Sequence, residues 1–158
     1  MKAFRNSYPA YLFLYSFYFM STALFTTLIS VYLIGQQYSA SQVSHLVSMA
    51  FFLSMLAQPL FGYINERFGI VKITTLSLGV LMAGVGCFIW APNFFWLTIF
   101  YGLVLLCLNG TAPMMEILAT QSPYAFGKIR VWGTLGYAAG AHLAGWLYAH
   151  LSPQSVYY

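Results

Sequence analysis

From Phe94 to Met115 the chain reads FFWLTIFYGLVLLCLNGTAPMM, 22 residues without a charge, and only then meets Glu116. At 1.5 Å of rise per residue, an α-helix of that length is about 33 Å long, roughly the thickness of a bilayer's hydrocarbon core. The run is continuous rather than alternating. It is also about twice as long as a barrel strand, so it reads as a membrane-spanning helix. The rest of the chain is built in the same way. Of its 158 residues, 61% are hydrophobic and 5% charged, and the mean hydropathy is +0.76. Soluble domains carry about a quarter charged residues, and so small a share cannot cover a water-facing surface. This composition excludes a soluble domain, a disordered chain and a coiled coil, and makes the lipid bilayer the expected surroundings. A net charge of +4 spread along such a chain signals orientation in the membrane, not a nucleic-acid partner. Cys87 and Cys107 both lie inside apolar runs, which speaks against a disulfide scaffold, and no residue cluster suggests a metal or other cofactor.

Working outward, spans are expected at about 9–34, 43–64, 71–90, 94–116 and 130–151. Polar residues 35–42 end the first, Asn65-Glu66-Arg67 the second and Ala91-Pro92-Asn93 the third, while Ser152-Pro153 follows the fifth. Lys2 and Arg5 precede the first span, Arg67 and Lys72 flank the second connection, and Lys128 and Arg130 flank the fourth. All six positive charges therefore fall on alternate connections, which the positive-inside rule makes cytoplasmic. A signal peptide with Lys2 and Arg5 as its basic region fits poorly, because the apolar run is too long and no small-residue cleavage site follows. The expected fold is an all-α polytopic membrane protein of about five transmembrane helices, N-terminus cytoplasmic and Tyr158 outside. A further span is due just where Tyr157-Tyr158 stand, so an N-terminal fragment is expected, with a missing C-terminal part as its partner.

The second connection reads Gly62-Tyr63-Ile64-Asn65-Glu66-Arg67-Phe68-Gly69-Ile70-Val71-Lys72. A glycine at each end suits a tight turn, and Glu66 can face the positive end of a helix or a basic side chain. An ordinary charged turn satisfies the same facts. The pattern resembles the G-x-x-x-D-R-x-G-x-x-K loop of the major facilitator superfamily. It departs in having Glu66 for the usual Asp, and apolar Ile70 and Val71 where many members are basic. Three more segments, 58–62, 109–116 and 126–137, resemble the lactose permease-like branch of oligosaccharide:proton symporters. Arg130-x-Trp132-Gly133 is similar to the phenylpropionate and nucleoside permeases as well. The resemblance covers nearly the whole chain, with its segments in order. It implies a plasma (inner) membrane transporter of twelve helices in two six-helix halves around a central cavity. This chain then resembles the first five helices, within the N-terminal six-helix bundle. Its implied activity is alternating-access symport of a sugar or other small polar organic solute with a proton, without cofactor and not as an enzyme. Gly62, Glu66, Arg67, Gly69 and Lys72 would form its conformational loop, and the proton-handling residues of that branch lie in the second half. A membrane scaffold or accessory subunit that moves nothing is the competing function.

An ionisable residue deep in a bilayer costs about 2.5–3.5 kcal/mol on insertion scales, so it faces a cavity or a partner. Glu116 and Arg130 stand at the two ends of one short connection and can be such residues. Alternatively, both lie at the interface and snorkel to water. In the branch resembled here, a Glu three residues after the Ala-Pro of helix four and an Arg in the Gly-x-x-Arg opening helix five bind sugar hydroxyls. An aromatic ring two turns further stacks on the sugar. The matching positions are Glu116 after Pro113, Arg130 after Gly127, and Tyr137, where Tyr replaces Trp. Seven residues separate Arg130 from Tyr137, which brings them onto one helical face. Asn109, two turns before Glu116, either reaches the cavity or bridges helices. His142 lies off the Arg130–Tyr137 face and is read as a helix contact. Gly133, Gly136 and Gly140 form a small-residue ridge that permits close helix packing.

Overall fold

The computed structural model describes residues 7–150, and every regular element among them is an α-helix. Lys2, Arg5, Ser152, Pro153, Tyr157 and Tyr158, used above for topology and fragment length, lie outside the described residues. The helices are α1 Tyr8–Thr27, α2 Ile29–Gly35, α3 Ala40–Phe68, α4 Ile70–Ile89, α5 Phe94–Thr120 and α6 Phe126–His150. Lipid offers no hydrogen-bond partners, so a spanning backbone must satisfy its own polar groups, and helices do this within one segment.

Local chemistry sets the helix ends. Pro9 in the first turn of α1 lacks the N–H that a helix start leaves unpaired anyway. At Leu28 the chain leaves helical geometry (φ −110°, ψ 10°) and resumes it at once in α2. Just before the break, the hydroxyls of Thr22 and Thr26 donate to the Tyr18 and Thr22 carbonyls at 2.9 and 2.7 Å. Such back-bonding bends helices. The start of α3 is fixed by a capping box: Gln42 N–H donates to Ser39 Oγ at 3.3 Å, and Ser39 N–H to Gln42 Oε1 at 2.9 Å. α3 then runs past the expected stop at Asn65-Glu66-Arg67 and ends at Phe68. The turn into α4 is one residue, Gly69, whose φ of +89° favours glycine and whose N–H donates to the Asn65 carbonyl at 2.9 Å. Gly62 lies inside α3 and takes no part in the turn. A Cβ added there would meet nothing within 4 Å.

Tyr8–Gly35, Ala40–Phe68, Ile70–Ile89 and Phe94–Thr120 are long and apolar enough to cross a membrane by length and composition. α6 has the length, at 25 residues. Its glycines, Lys128, Arg130 and His142 hold its hydropathy below that of the other four. Large apolar side chains face outward along the helices, Met82 at 75% and Trp90 at 86% exposure, which suits a lipid-facing surface and not an aqueous one. Three of the polar residues buried inside are hydrogen-bonded: Ser54 to the Phe51 carbonyl, Thr111 to the Cys107 carbonyl and Thr74 to the Met114 sulfur.

The described residues divide into two compact units, one of residues 7–37 with 115–150 and the other of residues 38–114. In the first, α1 and α6 pack along their lengths and run parallel. Tyr8 meets Trp132 and Lys128, Ser16 meets Trp132 and Gly136, and Met20 meets Gly140. The buried face of α6 is Ile129, Gly133, Gly136, Gly140 and Ala144, spaced by three and four residues. A Cβ at Gly136 would overlap the Ser16 carbonyl oxygen, and one at Gly140 would stand 2.6 Å from that of Met20. Only glycine allows this approach.

Candidate functional site

Three of the residues singled out by sequence, Glu116, Arg130 and Tyr137, fall in the first unit. Glu116 is exposed near the end of α5, one residue after Met115. The Met115 carbonyl accepts a 2.7 Å hydrogen bond from Tyr15, a fully buried α1 residue, so α1 is tied to α5 directly beside the carboxylate. Arg130 is half-buried in the second turn of α6. Its guanidinium carbon lies 4.7 Å from the centroid of the Phe19 ring, within cation–π range. The Tyr15 hydroxyl stands within the electrostatic reach of both Glu116 and Arg130. Among the described residues no ion pair joins Glu116 to Arg130, so neither charge is consumed by the other. Tyr137 is 42% exposed. At about 100° per residue it shares a strip with Arg130, and that strip lies about 80° round the helix from the buried glycine ridge.

The start of α6 is fastened separately. Tyr8 Oη accepts from Trp132 Nε1 at 3.0 Å and donates to the Lys128 carbonyl at 3.4 Å. The Tyr124 ring meets Tyr8 and Tyr11 edge-on at 5.2 and 6.2 Å. Ser16 Oγ adds a bond to the Trp132 carbonyl at 3.2 Å. This clamp brackets Arg130 on both sides and sets its height along the helix pair.

Asn109 belongs to the second unit. Its Nδ2 donates to Ser54 Oγ at 2.9 Å, joining α5 to α3. Neighbouring Gly110 faces the Phe61 ring, where a Cβ would come within 2.8 Å. In the loop motif, Glu66, Arg67, Gly69 and Lys72 are exposed, and the Arg67 guanidinium stands 5.6 Å from the Phe68 ring centroid. The Asn65 Oδ1 atom is buried there without a hydrogen-bond partner. An open groove of about 240 Å³ in this unit is lined by Phe61, Ile64, Ile73, Leu76, Leu103 and Cys107 among others. It is too apolar to hold a polar solute. His142 is exposed on α6, off the Arg130–Tyr137 strip.

Sequence reasoning passed over Tyr15 and Phe19. Their spacing of four places them on one face of α1, but aromatic residues make up 20% of the chain and nothing in the sequence distinguishes these two.

Chemically, the first unit offers a fixed guanidinium with a rigid fork of donors, a carboxylate acceptor and an aromatic face. That set suits hydroxyl-rich or carboxylate-bearing organic molecules and contains no nucleophile–base pair. Curated proteins similar to this chain include two permeases. A sucrose permease of Escherichia coli is 28% identical over 95% of this chain and 39% of its own length. A maltose permease of Geobacillus stearothermophilus is 28% identical over 98% and 40%. The chain thus spans about two fifths of the length of these curated relatives. No solved structure matches it. The model of the MFS_1 like family matches residues 8–158, nearly the whole sequence. The chain belongs to that family, within the major facilitator superfamily of membrane transporters, and is not an enzyme.

Proposed function

We propose that the chain forms the N-terminal part of a proton-coupled symporter for a sugar or another small polar solute, working by alternating access in the plasma membrane with a cytoplasmic N-terminus. The observation that carries this reading is two charges with no ion pair between them, Glu116 and Arg130, on consecutive helices in a family of transporters. Support for a sugar comes from the relatives' names, sucrose and maltose permease. In this reading Arg130 donates to two adjacent solute hydroxyls, Glu116 accepts from a third, and Tyr137 lays its ring against the apolar face of the sugar. Asn109 serves packing, because its amide is already engaged by Ser54. Proton coupling would be supplied by the C-terminal half, the proposed partner.

The test is binding of labelled sucrose and maltose to the chain in lipid nanodiscs, followed by uptake under an imposed proton gradient. For uptake the chain is co-expressed with the complementary C-terminal part of a sugar permease. Saturable binding lost in Glu116→Gln, and uptake that collapses when the gradient is dissipated, are the expected results. Binding indifferent to that substitution removes the site assignment.

A further inference from the structure

We infer that Phe19 is a positioning residue for Arg130, holding the guanidinium by its ring face, and that Gly133 is the slot that admits the ring. The inference rests on the solute-binding reading of Arg130 but adds a residue and a device to it. Three observations converge. The Arg130 guanidinium carbon lies 4.7 Å from the Phe19 centroid, while no carboxylate among the described residues pairs with it. Gly133 lies one turn further along α6, and a Cβ there would come within 2.7 Å of the Phe19 ring and 3.1 Å of the Tyr15 ring. Tyr15 backs Phe19 at a centroid distance of 5.7 Å, and its hydroxyl is anchored to the Met115 carbonyl beside Glu116.

The physical argument concerns freedom. An unpaired arginine side chain samples many rotamers, and ordering it on binding costs conformational entropy. A salt bridge to Glu116 would order it but use up the donors that the solute needs. A ring face orders the guanidinium through its π-cloud and leaves all five N–H donors at the edge, available to a solute. Tyr15 in turn stops Phe19 from swinging away. Any side chain at position 133 would displace the ring and release the guanidinium. One α1 segment, Tyr15–Phe19, thereby holds the Arg130 guanidinium and ties the backbone next to Glu116.

The test replaces Phe19 by mono-, di- and trifluorophenylalanine, which withdraw electron density from the ring face in steps with little change in shape. Two readouts are taken on the chain in lipid nanodiscs. The first is the rate at which phenylglyoxal modifies Arg130, quantified at that residue by mass spectrometry, and it needs no solute. The expected result is modification that accelerates with each fluorine, about three- to thirtyfold over the series, with Phe19→Tyr restoring the slow rate and Gly133→Ala matching the fast one. A flat series in which only Phe19→Leu changes the rate means that the ring acts by volume, and overturns the inference. The second readout is sucrose and maltose binding, expected to weaken in the same order. If Arg130→Lys binds both sugars normally while the labelling series slopes, the solute-binding reading fails but the ring–guanidinium contact stands. If Arg130→Lys abolishes binding while the labelling series is flat, the reverse holds.

Discussion

The guanidinium of Arg130, 4.7 Å from the Phe19 ring centroid, is the group on which the proposed site depends. A fork gripping two hydroxyls cannot be replaced by a point charge, so Arg130→Lys is expected to weaken sugar binding at least tenfold. Each charge-assisted hydrogen bond contributes about 1.5–3 kcal/mol. Equilibrium binding checks this, and near-normal affinity in the lysine variant would mean that Arg130 only snorkels to water. Tyr137→Phe keeps the stacking ring and is expected to cost little, whereas Tyr137→Ala removes the ring and is expected to be severe. The glycines provide a contrast at the same scale. Gly136→Ala drives a methyl into the Ser16 carbonyl, and overpacking of this kind costs about 1–3 kcal/mol. Gly62→Ala enters open space in mid-helix and is expected to leave stability unchanged or raise it by up to about 1 kcal/mol. Thermal unfolding in a mild detergent ranks the two. Equal destabilisation would undermine the α1–α6 packing described here.

Helix boundaries show where sequence is legible and where it is not. The apolar runs mark the helical stretches because lipid forces both composition and backbone state. The ends are less visible. α3 begins at Ala40 rather than about residue 43 because the cap is hidden in a polar stretch: Ser39-Ala40-Ser41-Gln42 reads as a linker until its reciprocal hydrogen bonds are seen. It ends at Phe68 rather than about residue 64 because Asn65, Glu66 and Arg67 interrupt apolarity without interrupting helical hydrogen bonding. Ser39→Ala removes one side of the box and is expected to destabilise the first turn by about 1 kcal/mol. That corresponds to roughly fivefold faster amide exchange in residues 41–44, with exchange in α6 unchanged. In the candidate site, Glu116 and Arg130 were legible because charge is rare in an apolar chain. Phe19 and Tyr15 were not, since a ring among many rings has no signature until a glycine opposite makes room for it.

On the scale of the whole molecule, the proposed orientation rests on charge. Moving Lys or Arg across a bilayer is costly, so connections that carry them stay cytoplasmic. The structure adds a constraint within one unit: α1 and α6 run parallel, so the start of α6, with Lys128 and Arg130, lies at the same end of the helix pair as the start of α1. The connection after α2, around Gln36 and Gln37, carries no basic residue, whereas the Gly69 turn is flanked by Arg67 and Lys72. With Cys87 and Cys107 replaced by Ser, a cysteine introduced at Gln37 is expected to react with an impermeant maleimide added to intact cells. One introduced at Asn65 should react only after the membrane is opened. Exposed Cys87 would otherwise contribute background, whereas buried Cys107 would contribute little. Orientation also bears on the proposed site: in the proposed orientation the start of α6 is cytoplasmic, and Arg130 would there meet an inward-facing solute and act in its release. Reaction of both cysteines from outside would remove the orientation argument and the loop assignment with it, and would leave the α1–α6 pair and its glycine contacts as they are.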